Sequence, residues 1–346
     1  MTGLLFAVAC SKSDAPKPAD KPADKPADKV AENPGVKPAD PAPAEAPPAK
    51  IKQATNSDDL AKLPLDSDLV IGVNVATVQT SPMWKDFIAP RVMTGDAAAK
   101  LDELKQKCGI DPMAVIKTAT IGLKDGAGGK EGVIVVHGPD KAKVIACGEK
   151  MKADPSAKVE VAQDGDVTIL KPKSGGVPVA FQFITDTDAV VAIGARANAA
   201  GIKAVLEGKN GLATSGAFVD MYNRVETEKS MWWLMNAANN PAMKGLATLG
   251  IKPTHLFGAV DVTDGLNVDM RMRVPSQDQA TQAATMMKSQ LAPAAGMLKM
   301  DKIDVTSEDK DIKFNIVVSK ANLGPMLDSL KSLAATMGGG AMGGTP

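Results

Sequence analysis

Aromatic side chains are scarce. They make up 3% of the 346 residues, with one Tyr, three Trp and seven Phe, so the core must be filled by aliphatic side chains and the 18 methionines. Histidine is scarcer still. His137 and His255 are the two in the chain, and each falls at the end of a predicted strand, where a lone histidine more often serves as a hydrogen-bonded structural residue than as a ligand or base. Neither sign of charge is in excess: 40 Lys plus Arg stand against 40 Asp plus Glu. With no basic cluster along the chain, a nucleic-acid partner is not expected. No run of 18 or more apolar residues occurs, so no segment has the length of a membrane-spanning helix. Missing too are a Gly-x-Ser-x-Gly elbow, a Cys-x-x-Cys pair, a His-Glu-x-x-His helix and a complete phosphate loop, the local patterns that announce several large enzyme classes. The glycines at 126, 128, 129 and 132 fail the dinucleotide spacing and suit a turn better. Acids such as Asp261, Asp264, Glu308 and Asp309 gather in predicted turns, where solvent and side-chain turn bonds satisfy them. No cofactor or metal is implied.

What is present begins at Leu4-Leu5-Phe6-Ala7-Val8-Ala9-Cys10-Ser11, an apolar segment whose small residues lead into a cysteine. This resembles the lipobox of bacterial lipoproteins, in which the preceding peptide is removed and the cysteine becomes an acylated first residue. The resemblance covers about ten residues. It implies a signal peptide over 1–9, lipidation at Cys10, and attachment to the membrane of a bacterial envelope. Ser11 in place of Asp resembles the sorting pattern for the outer membrane. Two departures stand out: nine residues precede Cys10 and none is basic, whereas secretory signals start with positive charge. A start codon set too far downstream explains both.

Residues 11–50 are almost wholly Pro, Ala, Lys, Asp and Glu, with Lys-Pro-Ala-Asp beginning at 17, 21, 25 and 37. Proline removes donors and the apolar content is mostly methyl groups, so an extended, disordered tether is expected over 10–50. At about 3.1 Å per residue such a chain reaches on the order of 100 Å. Acylation of Cys10 leaves Cys108 and Cys147 as an even pair. An envelope address implies an oxidising compartment, and the two cysteines fall in successive predicted helices, so they are expected to form a disulfide, with two buried thiols as the other reading.

Periodicity predicts an α+β body with a mainly antiparallel sheet and helices on one face. The first half, 51–228, carries predicted strands at 69–75, 118–123, 132–137, 159–162, 167–170, 179–184 and 189–193, with helices at 82–107, 141–152, 195–206 and 217–226. The second half, 229–336, repeats the order of strand, helix and hairpin, with strands at 231–236, 255–262, 266–274, 303–306 and 311–318 and helices at 277–291 and 322–335. That recurrence suggests an internal duplication. A Gly/Met tail over 337–346 closes the chain.

Two features are candidates for binding. Trp232 and Trp233 are adjacent in a predicted strand and so point to opposite faces; one of them is expected to line a groove, and coverage of both by helices is the plainer account. Methionines 286, 287, 297, 300, 326, 337 and 342 cluster toward the C-terminus. Thioethers suit Cu(I), but filling an aromatic-poor core explains them more simply. The expected function is that of a lipid-anchored envelope protein that binds an envelope protein or an apolar ligand, and not an enzyme. An envelope enzyme with a scattered active site and a periplasmic lipid or peptide chaperone are the alternatives.

Overall fold

Val133-Ile134-Val135-Val136 places apolar side chains on both sides of a strand, and such a strand is stable only when both faces are covered. This requirement organises the first half of the molecule. The computed structural model describes residues 52, 57–93, 95–124, 130–238, 240, 243–247 and 250–338. The lipobox with Cys10, the tether, the turn at 125–129 and the Gly/Met tail from 339 lie outside the described residues.

Twelve strands form one sheet: β1 (Leu69–Asn74), β2 (Thr118–Leu123), β3 (Gly132–His137), β4 (Val159–Asp164), β5 (Val167–Pro172), β6 (Val179–Phe183), β7 (Asp188–Ile193), β8 (Met231–Asn236), β9 (His255–Asp261), β10 (Leu266–Arg273), β11 (Lys302–Glu308) and β12 (Asp311–Val318). Their order is β11-β12-β10-β9-β8-β1-β2-β3-β7-β6-β5-β4, and every neighbouring pair is antiparallel. The short helix α1 (Asp59–Lys62) precedes the larger helices α2 (Gly95–Cys108), α3 (Lys141–Ala153), α4 (Ala199–Glu207), α5 (Gly216–Arg224), α6 (Gln277–Met297) and α7 (Lys320–Gly338). The fold is therefore α+β with an antiparallel sheet. Outward from the central β1/β8 pair, one wing runs β2, β3, β7, β6, β5, β4 and the other β9, β10, β12, β11.

One face is apolar across nearly the whole sheet. The row of register partners Met270, Gly258, Trp233, Ile71, Ile121 and Ile134 crosses from β10 to β3 and continues through Val191 to Phe181. Over the second half this face is covered by α6, whose Ala280, Ala283 and Ala284 pack on Met272, Ile312 and Phe314. α7 adds Leu323 and Met326 against Val262 and Val318. The second half's own long helices thus lie on one face, while Trp232, Leu234, Phe257 and Ala259 on the other face of β8 and β9 join the cluster that includes Tyr222 of α5. In the first half the opposite face carries Val133, Val135, Val190 and Ala192, and it is covered by Leu60, Ile202, Val205, Phe218 and Tyr222 from α1, α4 and α5. A second helical layer is needed there because β3 and β7 are apolar on both sides. α4 and α5 start where Asn198 and Ser215 accept hydrogen bonds from the N–H groups of Gly201 and Phe218, the expected satisfaction of first-turn donors.

The helix expected over 82–107 is broken. Val75 leaves the strand because Asn74 caps a short helix, Val75–Thr80, by accepting from the Thr77 N–H at 3.2 Å. A wide-turned segment, Met83–Ile88, and a short helix, Ala89–Val92, precede α2. Pro82 opens this stretch, Pro90 follows the wide-turned segment and lacks the N–H that a regular ladder needs there, and Met93 leaves the helical conformation before α2 begins.

Candidate functional site: an apolar pocket beneath two disulfide-linked helices

α3 has the sequence Lys-Ala-Lys-Val-Ile-Ala-Cys-Gly-Glu-Lys-Met-Lys-Ala, in which one narrow edge is apolar: Val144, Cys147, Gly148 and Met151 share a helix face. Cys147 is its single buried residue, and Val144, Gly148 and Met151 are half-buried. Asp140 starts the helix by accepting from the Lys143 N–H at 2.9 Å. α2 ends at Cys108, where Gly109 takes φ +65°, the left-handed turn that glycine adopts without a Cβ penalty. Cys108 and Cys147 are joined in a disulfide with a Cα–Cα distance of 5.0 Å. Three ion pairs accompany it. Lys107 Nζ lies 2.7 Å from Asp154 Oδ2 and 2.9 Å from Glu103 Oε1, and Lys105 Nζ lies 3.3 Å from Asp111 Oδ2.

Between these helices and the sheet lies an apolar pocket. Its floor is Thr168, Leu170 and Phe181 from β5 and β6, its end wall is Ile110, Pro112, Val115 and Ile116, and its roof is Val144, Cys147, Gly148 and Met151, with Leu104 and Pro139 at the sides. Thr168 carries the lining's single side-chain hydroxyl. The cleft leaves a cavity of about 40 Å³. The site is thus closed down, with room for a few waters at about 10–15 Å³ each. A larger guest has to lift the roof, where α3 buries Cys147 alone and is held to α2 by the disulfide.

His137 lies elsewhere, at the end of β3, and it does face acids. Its Nδ1 is 2.8 Å from Asp188 Oδ1 and its Nε2 is 3.1 Å from both oxygens of buried Asp59, which also accepts from Thr120 Oγ1 at 2.6 Å. A carboxylate at each nitrogen favours the imidazolium, the form that can donate to both. The Asp59 hydrogen bond, opposed by burial and aided by Asp188, raises the His137 pKa above its ordinary value. No ring nitrogen is left to exchange a proton with a substrate, so the arrangement ties α1 to β3 and β7 and offers no general base.

A second buried ion network joins the halves. Arg273 Nε and Nη2 reach Asp311 Oδ1 and Oδ2 at 2.7 and 3.0 Å, Nη1 reaches Asp220 Oδ2 on α5 at 2.6 Å, and the guanidinium lies 5.2 Å from the Phe257 ring centroid. Arg224 Nη1 approaches Asp311 at 3.6 Å. Burial, reinforced by Arg273, pushes the neighbouring His255 pKa down.

The tryptophans do split between faces, but neither borders the pocket. Trp232 is buried edge-to-face with Tyr222, at 5.4 Å between centroids, and its ring occupies the space above Gly72. Trp233 is half-buried on the other face beside Gly258. Met326 is buried, and Met286, Met287 and Met300 pack against the core beneath α6 and α7. Met297 is exposed. The pocket lies wholly in the first half rather than in a groove between halves, and no motif marked it. Its faint signal was the apolar edge of a helix otherwise crowded with lysine.

No family model and no curated protein matches the chain. Among solved structures, the chain is similar to one described as "Structure of crystal form I of TP0453", with 9% identity, a TM-score of 0.47, and coverage of 78% of this chain and 96% of that one.

Proposed function

We propose that the protein is a lipid-anchored, extracytoplasmic binding protein of the bacterial envelope that takes the hydrocarbon part of an apolar ligand beneath α3. The carrying observation is the pocket: thirteen lining residues with one side-chain hydroxyl and no charge, the apolar character of lining that small-molecule sites use to bury hydrophobic ligands, around a cavity that opens further when α3 lifts. The Cys108–Cys147 disulfide accords with an oxidising compartment. The site offers nothing for catalysis: it has no titratable side chain, and both nitrogens of His137 are engaged.

The binding is tested by titrating the protein with a fluorescent acyl probe. Saturable binding that is lost in a Gly148→Phe variant, which fills the cleft from the roof, supports the reading; no binding, or equal binding by the variant, sinks it. The anchor is tested separately by the intact mass of protein from the membrane fraction. Acyl mass on a chain starting at Cys10 is expected, and an unacylated chain would overturn the address. The order of strands outward from β1 and β8 also motivates the proposal that 51–228 and 229–336 are copies of one unit. A superposition of the two wings no better than that of unrelated α+β units would end it.

A further inference from the structure

The pocket accounts for a hydrocarbon guest but leaves its polar end unspecified, and the seam between α2 and α3 supplies a criterion. Cys147 and Asp154 are the groups that reach from α3 to α2, through the disulfide and the Lys107 ion pair. Helical spacing places Lys143 and Lys150 on that same side, because positions 143, 147, 150 and 154 fall on one face. Every acid at the seam already has donors. Asp111 holds Lys105 and the Met113 N–H, Asp154 holds Lys107 and Ser156, Glu103 holds Lys107, and Asp140 caps α3 through the Lys143 N–H. Lys143 and Lys150 are both exposed, and among the described residues neither forms an ion pair. An anion arriving at the seam meets two unengaged ammonium groups, whereas a cation has to compete with existing pairs.

We propose that the ligand is an anionic amphiphile with a single acyl chain, the chain lying beneath Val144, Gly148 and Met151 and the head group at Lys143 and Lys150. This rests on the binding reading above and specifies its ligand. The pocket itself excludes the head group, since burying a carboxylate or phosphate among these side chains would leave it without a partner. One chain is specified because the Cys108–Cys147 bond limits how far α3 can rise from α2. Fatty acids and monoacyl phospholipids share this chemistry, an anionic oxygen cluster on one chain.

The test displaces a neutral fluorescent acyl probe from the full chain with palmitate, monopalmitoyl phosphatidylglycerol, uncharged monopalmitoylglycerol and two-chain phosphatidylglycerol. Two exposed ion contacts predict that an anionic single-chain lipid binds about three- to tenfold tighter than monopalmitoylglycerol at low salt, with the advantage fading as salt rises. A Lys143→Gln/Lys150→Gln variant should lose that advantage and still bind monopalmitoylglycerol. Preference for palmitate alone assigns a carboxylate head, and preference for the phosphatidylglycerol form alone assigns a phosphate. Equal affinity for charged and uncharged single chains overturns the head-group assignment while leaving the pocket reading intact. Equal binding of two-chain lipid overturns the single chain. Failure of every lipid to displace or bind removes the pocket reading and this inference together.

Discussion

Gly148 sits mid-helix in the roof of the pocket, and a Cβ built there meets no atom within 4 Å. Alanine at this position should therefore stabilise the protein. The gain comes from the unfolded chain, which loses the extra freedom of glycine, and from better helix propensity, together about 0.5–1 kcal/mol. For a body of this size that corresponds to a rise in Tm of about 1–2 °C. Gly72 gives the contrast: its Cβ would lie 2.0 Å from Trp232 Cε2, so Gly72→Ala must displace a buried indole, an overpacking cost of about 1–3 kcal/mol. Equilibrium urea unfolding of the full chain, followed by tryptophan fluorescence, measures both, and the midpoints should move in opposite directions at unchanged m-value. A Gly148→Ala protein less stable than the parent would refute the reasoning, because it would mean that α3 packs tightly on the sheet and no lining gap exists beneath it.

Four further outcomes follow from the ion networks and the disulfide. Since His137 has a raised folded pKa, its contribution is fully present below about pH 6.5 and is lost as pH rises through the folded value. His137→Gln should flatten that decline in urea midpoints, and an unchanged slope would remove the imidazolium assignment. His255 has the opposite sign: with its pKa pushed down, it weakens the fold as pH falls below about 6.5, and His255→Gln should remove that acid-side loss. Asp311→Ala strips Arg273 of its two-pronged partner in a buried setting and should cost about 3 kcal/mol; a loss below about 1 kcal/mol, the scale of an exposed pair, would show that the network is solvated. Reducing the disulfide, which closes a 39-residue separation, should cost about 4 kcal/mol on the chain-entropy argument and expose α3 to proteolysis. Equal unfolding midpoints with and without dithiothreitol would contradict this.

Strands were the most legible elements. The expected bounds at 118–123, 132–137, 231–236 and 311–318 match β2, β3, β8 and β12 to the residue, because β-branched or aromatic runs there end at polar turn formers. The break before α2 was not legible: Pro82 starts the helical stretch as expected, but the helix is wide-turned up to Ile88, where Pro90 follows, and it ends at Met93 with no local signal that marks the stop. The sheet's second helical layer could have been inferred from Val133 to Val136, which leave no polar side for solvent. The candidate site was hidden for a different reason. Its lining is drawn from residue 104, the stretch 110–116, α3, β5 and β6, none of which carries a motif, and a pocket is a property of how such pieces meet. The partners of His137 were equally remote, with Asp59 78 residues away and Asp188 51 away. The Cys108–Cys147 bond was expected from an even cysteine count with Cys10 set aside, a reading that needs no knowledge of packing, and the two sulfurs do meet.

The central claim is tested most directly by photolabelling the full chain with a long-chain fatty acid carrying a diazirine at mid-chain, followed by peptide mapping. Labels concentrated on Val144, Gly148, Met151, Leu170 and Phe181, and competed away by unlabelled acid, are the predicted result. Labels scattered over the surface, or gathered at Trp233 or on the exposed face of α6, would contradict a ligand held beneath α3.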